Sequence, residues 1–205
     1  MYEAFVTNDT ELAIKASTDL EQLYSSNPSD SLLFKMTYAQ QTVLGFELED
    51  DQFDNLYDKA KANAQKLVET SGFQSYGHTF LASIYASQMG RSAMSAMFLA
   101  PKNKSELKLA LEADENNALA WLQFGGYKYF APGFFGGDLD DAIEAFERSV
   151  ALFESTGDHT GRWSYLGALN LLRRSYSKSG READANKIID KARSLEPRLK
   201  WVKTS

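Results

Sequence analysis

Residues 169–197, LNLLRRSYSKSGREADANKIIDKARSLEP, hold two helical patterns joined by a glycine. In the first half Leu169, Leu172 and Tyr176 recur three and four residues apart, the spacing that lines one face of an α-helix. Gly180 marks the turn between the halves. In the second half Ala185, Ile189 and Ala192 repeat the helical spacing, and Pro197 follows five residues after the last of them. Small residues let two helix axes approach closely, and a large apolar residue between them fills the groove of a neighbour. The stretch reads as two helices packed back to back.

The same pattern, one anchor followed by others four and then three residues on, recurs through the chain. It reads as Ala16–Leu20–Leu23, Ala60–Ala64–Leu67, Asn103–Leu107–Ala110, Ala142–Phe146–Ser149 and Ala185–Ile189–Ala192. Successive copies begin 44, 43, 39 and 43 residues apart. Elements matching the first half precede them: Leu81, Ala82 and Tyr85, then Trp121, Phe124 and Gly125. Start and stop signals predict nine helices, over 9–25, 30–48, 52–70, 74–97, 102–114, 117–130, 139–154, 160–179 and 181–195. Pro28, Gly72, Pro101, Pro132, Gly157, Gly180 and Pro197 are read as lying between or just beyond them. No run of alternating apolar and polar β-branched residues predicts a strand. The fold class expected is all-α, a single domain over residues 1–205.

These anchors resemble tetratricopeptide repeats. The resemblance covers nearly the whole chain, as about four and a half helix pairs, and is most specific in the last copy. It implies a right-handed α-α superhelix of antiparallel helices. The period of that family is about 34 residues, so the repeats here are elongated, and the excess falls in or after the first helices, which read as unusually long around 30–48 and 74–97. Lys128 stands where the pattern wants an aromatic residue, and Arg173 where it wants glycine. Residues 116–154 resemble more narrowly bacterial tetratricopeptide-like proteins, often exported, that carry a Pro–aromatic–Gly-Gly loop between paired helices. Similar arrays also serve as soluble partners of transport systems.

Composition narrows the chemistry. The chain has 205 residues and no cysteine, which removes disulfides, thiolate nucleophiles and cysteine metal sites. No stretch reaches the roughly 18 apolar residues of a membrane span. The start MYEAFVTNDT has neither the basic nor the apolar region of a signal peptide, which leaves the cytoplasm or, after removal of a leader, an exported location. The net charge of −6 is uneven: residues 1–60 carry −9 and residues 161–205 carry +7. Such a gradient steers charged partners and suits a homo-oligomer joined end to end, while the overall acidity argues against nucleic acid.

Catalytic patterns are missing. The two histidines, His78 and His159, are too few for a zinc enzyme site, and His78 reads as structural. The acidic clusters Glu47–Asp51 and Asp138–Asp141 lack calcium-loop spacing and read as an interhelix turn and a helix cap. Asn103 carries a glycosylation sequon, but as a repeat anchor it is a poor place for a sugar. No enzyme, cofactor or metal is expected.

The residues expected to bind are Tyr127, Tyr129, Phe130, Phe134, Phe135, Asn170, Arg174 and Lys178. Phe134 and Phe135 lie in the loop 131–138 (APGFFGGD), where they either face a ligand or fold back over the end of a helix. The resemblance places Tyr129, Phe130, Asn170, Arg174 and Lys178 on the concave face. The expected function is a non-catalytic scaffold that holds a protein or peptide partner in that groove. The alternative is a carrier that encloses a small apolar ligand near the 131–138 loop.

Overall fold

The computed structural model describes residues 1–157 and 162–202; His159 lies outside the described residues. Ten α-helices and no strand occur among them, in agreement with the all-α expectation. Among the same residues no helix is long and apolar enough to cross a membrane. The chain divides into two compact units, one over residues 3–115 and the other from residue 116 onward.

The first unit holds α1 (Tyr2–Thr7), α2 (Thr10–Ser26), α3 (Asp30–Val43), α4 (Asp50–Glu69), α5 (Gln74–Arg91) and α6 (Ala93–Ala113). The second holds α7 (Ala118–Phe130), α8 (Leu139–Thr156), α9 (Arg162–Lys178) and α10 (Glu182–Leu195). From α2 to α6, and again from α7 to α10, each helix packs on the next. The first helices of neighbouring pairs also touch, α3 on α5 and α7 on α9. Several helix starts follow from capping oxygens. Asp9 Oδ1 accepts from Leu12 N–H at 2.9 Å, Ser29 Oγ from Leu32 N–H at 3.3 Å, and Asn117 Oδ1 from Leu119 N–H at 3.0 Å.

The repeat anchors form the core. Ala60, Ala64, Leu67, Leu107, Ala110, Ala142, Phe146, Ser149, Ala185 and Ala192 are all but inaccessible to solvent. Asn103 is buried as well and donates through Nδ2 to Ala82 O at 2.7 Å, so its side chain ties α6 to α5 rather than carrying a sugar.

Three expectations need correction. In α2 the buried anchors are Ala13 and Ser17, with Leu20 partly buried, whereas Leu23 is half exposed. The buried pattern there runs about one turn earlier than Ala16–Leu20–Leu23. Pro101 does not separate two helices. Ser92, with extended backbone and its Oγ accepting from Ser95 N–H at 3.0 Å, ends α5 and starts α6, which runs through Pro101. An interior proline costs about 3 kcal/mol; the buried Asn103, Leu107 and Ala110 that follow it hold α6 against α5. The first helices are also not both long: α5 has 18 residues but α3 only 14. After α3 the chain tightens, with Gly45 N–H donating to Thr42 O and Phe46 N–H to Val43 O, and helix resumes only at Asp50. The longest helices are α4 (20 residues) and α6 (21), with α5 and α8 at 18 each.

Candidate functional site

All of the expected binding residues belong to the second unit. The segment that joins α7 to α8 begins where Pro132 holds Ala131 in extended backbone and so ends the helix. A single 3-10 turn, Gly133–Phe135, follows. Four backbone hydrogen bonds fix it: Phe135 N–H to Pro132 O at 2.9 Å, Gly136 N–H to Gly133 O at 2.9 Å, Gly137 N–H to Pro132 O at 3.1 Å, and Asp138 N–H to Lys128 O at 2.9 Å. The Tyr127 hydroxyl donates to Phe135 O. Gly136 sits at φ +93°, and a side chain on Gly137 would overlap the Ala131 carbonyl oxygen. Asp138 then caps α8, its Oδ1 accepting from Asp140 and Asp141 N–H at 2.9 and 3.0 Å. That is the capping role read for the acidic cluster.

The outcome is a tied-down loop that displays aromatic rings. Phe134 is 84% exposed and Phe135 49%, their centroids 4.5 Å apart. They do not fold back over the helix end, because the turn that carries them is closed by its own backbone and needs no side-chain plug. Their openness also fits poorly with an enclosed cavity at this loop.

A second cluster joins α7 to α9. Tyr129 and Phe130 meet edge to face at 4.8 Å in the last turn of α7. Arg174 stands over both rings, at 5.5 Å from the Tyr129 centroid and 5.9 Å from that of Phe130. Lys178, one turn further along α9, lies 4.8 Å from the Tyr129 ring. Contacts of this kind contribute about 0.5–1 kcal/mol each at exposed positions. Phe130 is 62% exposed, and Arg174 and Lys178 are exposed. Neither cation has a carboxylate partner among the described residues. Other cations of the unit do: Lys128 bonds Asp141 at 2.7 Å, Arg181 bonds Asp184 at 3.0 Å, and Arg193 bonds Asp190 at 2.7 Å.

The remaining predicted residues take supporting places. Asn170 accepts from Arg173 Nη2 at 3.1 Å. Tyr127 serves the loop through its hydroxyl. Among the described residues no ring contact joins Phe134 or Phe135 to Tyr129 or Phe130, so the loop pair and the α7–α9 cluster are two separate aromatic groups.

Several partners were not legible beforehand. Arg173, in the slot expected for glycine, stacks on Trp201 at 5.6 Å, and burial followed by the like charge of Arg174 lowers its pKa. Lys128, in the slot expected for an aromatic, covers the Phe124 ring at 5.6 Å. Tyr176 donates to Glu147 at 2.6 Å; burial and this bond push its hydroxyl up to about 12. In the first unit His78 Nδ1 is 2.6 Å from Glu106 Oε2, consistent with a structural histidine.

No protein-family model matches the chain, and no curated protein sequence matches it. Solved structures do. The HusA haemophore from Porphyromonas gingivalis superposes with a TM-score of 0.70 at 17% identity, covering 81% of this chain and 84% of that one. A thermophilic TPR protein of Thermus thermophilus superposes with a TM-score of 0.65 at 18% identity, covering 97% of this chain and 95% of that one. At such identities the likeness concerns fold alone. Together with the buried repeat anchors it gives the chain an all-α fold of the tetratricopeptide-repeat kind.

Proposed function

We propose that the chain is a non-catalytic binding scaffold, and that the α7–α9 face captures a protein or peptide segment carrying acidic beside aromatic or apolar side chains. The observation that carries this reading is the pair Arg174 and Lys178, two exposed cations held over aromatic rings and lacking carboxylate partners. Aromatic rings and arginine are the groups that dominate binding energy at protein interfaces. A carboxylate arriving between Arg174 and Lys178 gains charge-assisted hydrogen bonds. An apolar neighbour on the same segment covers Phe130, whose exposure supports that role. The long connection from α7 to α8 places a further apolar surface, Phe134 and Phe135, on the same unit.

The test is capture on an immobilised peptide of alternating Asp and Phe, against a control of alternating Lys and Phe. Wild-type protein should be retained by the first and not by the second. The combined variant Tyr129→Ala, Phe130→Ala, Arg174→Ala should pass through while keeping its helical circular dichroism. Equal retention of the folded variant would refute the reading.

A second reading rests on a specific observation: one structural neighbour is a haemophore. In that reading the open pair Phe134 and Phe135 forms a shelf for a flat apolar ligand. Haemin titration separates the two. A saturable change in the haemin absorption band, lost in Phe134→Ala with Phe135→Ala and retained when Arg174 is replaced, would favour the carrier.

A further inference from the structure

A groove in the first unit lies far in sequence from the residues just described. It runs between α2 and α4 and has a volume of about 310 Å³, the lower end of the range of small-molecule sites. Its floor is apolar, made by Ile14, Val43, Leu48 and Leu56. Val43 belongs to the buried cluster beneath, and the other three pack on that cluster while keeping part of their surface open. Glu21 stands on the α2 wall, with Asp51 and Lys59 on the α4 wall.

The Glu21 carboxylate is held in place from behind. Gln40 on α3 is fully buried and donates through Nε2 to Glu21 Oε1 at 2.9 Å. Gln40 Oε1 in turn accepts from Asn63 Nδ2 at 3.0 Å. Three helices thus combine to fix one carboxylate at the edge of an apolar trough. Lys59 Nζ lies 3.5 Å from the same Oε1, and both side chains are solvent-accessible. Glu21 Oε2 has no hydrogen-bond partner among the described residues. Orienting a charged group through a buried amide costs side-chain freedom that a purely solvated glutamate would keep. The surroundings are strongly acidic, since residues 1–60 carry a net charge of −9, which concentrates cations at this end of the chain.

We infer that this groove is a binding site for a small organic cation, an amine borne on an apolar body. The ammonium group bonds Glu21 and displaces Lys59, and the apolar body covers Ile14, Leu48 and Leu56. Lys59 is then the resident competitor for the carboxylate. Its contact is long and solvent-accessible, the kind of ion pair that contributes little, so an ammonium ion with an apolar anchor outcompetes it.

Tryptamine is a suitable probe, with indole-3-acetate as its counterpart of opposite charge on the same ring system. The measurement is titration of the isotope-labelled full chain by amide NMR, with thermal unfolding of each variant as a check on folding. Tryptamine should shift amides of residues 14–21 and 48–59 saturably, and indole-3-acetate should not. Glu21→Gln, which keeps the size and the hydrogen-bonding ability of the side chain, should weaken tryptamine at least tenfold. Gln40→Leu, which frees Glu21 to rotate, should weaken it severalfold. Lys59→Met should strengthen it severalfold, a gain that no merely structural role of Lys59 produces. Equal binding of indole-3-acetate, shifts confined to other residues, unchanged affinity in Glu21→Gln, or no binding of tryptamine to any of the folded proteins would each overturn the inference.

Discussion

Two places in the chain expose three large apolar side chains, and they are built in different ways. In the first unit Met94, Met97 and Phe98 line the first turns of α6, just past the single residue Ser92 that ends α5. In the second unit Phe130, Phe134 and Phe135 lie at the end of α7 and in the segment that follows it. The α6 set is a plain helical stripe with two flexible methionines. Arg91, at the end of α5, is engaged by Asp50 and by the Phe53 ring at 4.3 Å. In the second set Phe134 and Phe135 are carried by a hydrogen-bonded turn, and Phe130, at the end of α7, lies under Arg174. Exposure alone therefore does not mark a recognition surface. The proposed recognition face adds rigid display beside unpaired charge, which lowers the entropy lost on binding and supplies direction.

The largest effect should come from the packing that supports the aromatic face. Phe146 is fully buried and lies against α7, where a Cβ on Gly125 would come within 2.6 Å of its ring. Phe146→Ala should destabilise the chain by about 3–5 kcal/mol, read as a lower denaturant midpoint. Next is Gly137→Ala, whose new methyl group overlaps the Ala131 carbonyl. It should cost about 1–3 kcal/mol and scramble the display of Phe134 and Phe135, read by thermal unfolding and by peptide capture together. The stripe on α6 should respond least: serine at Met94, Met97 or Phe98 should change stability by no more than about 0.5 kcal/mol each and leave peptide capture intact.

Acid should also separate the two regions. In the second unit Arg198 donates to both oxygens of Glu196, at 2.8 and 2.7 Å, and holds its carboxyl down at about 2 against an ordinary value of 4.5. A lowered folded pKa means that this stabilisation is complete above pH 4.5 and is lost as the pH falls through 2. Wild type should therefore lose stability over that window. Glu196→Gln should flatten that part of the pH profile, measured by chemical denaturation at intervals of half a pH unit.

The legibility of the fold varied with how fully each copy kept its anchors. Ala185, Ile189 and Ala192, preceded by Leu169, Leu172 and Tyr176, were sufficient for a helix pair, and all six are buried. In α2 the bulky residues Leu12, Leu20 and Leu23 lie on one side of the helix, yet Leu12 and Leu23 are exposed and the buried face carries the small Ala13 and Ser17, so apolarity did not identify it. Pro101 misled because a proline removes only one hydrogen bond, and the packing around it was not visible in the local sequence. Helical register put Tyr129, Phe130, Arg174 and Lys178 on first helices, and the structure brings these four together. The stacking of Arg173 on Trp201, and the relay from Asn63 through Gln40 to Glu21, join residues 19 to 28 positions apart. Such contacts depend on how helices meet, and periodicity within one helix does not contain them.

The most direct test of a rigid, charged aromatic face is the affinity of the Asp–Phe peptide, measured by fluorescence anisotropy on three folded proteins. These are wild type, the Tyr129→Ala, Phe130→Ala, Arg174→Ala variant, and the Met94→Ser, Met97→Ser, Phe98→Ser variant. The expected result is at least a tenfold loss in the first variant, no change in the second, and a wild-type affinity that falls with added salt. Unchanged affinity in the first variant, or a loss confined to the second, would contradict the assignment of recognition to the α7–α9 face.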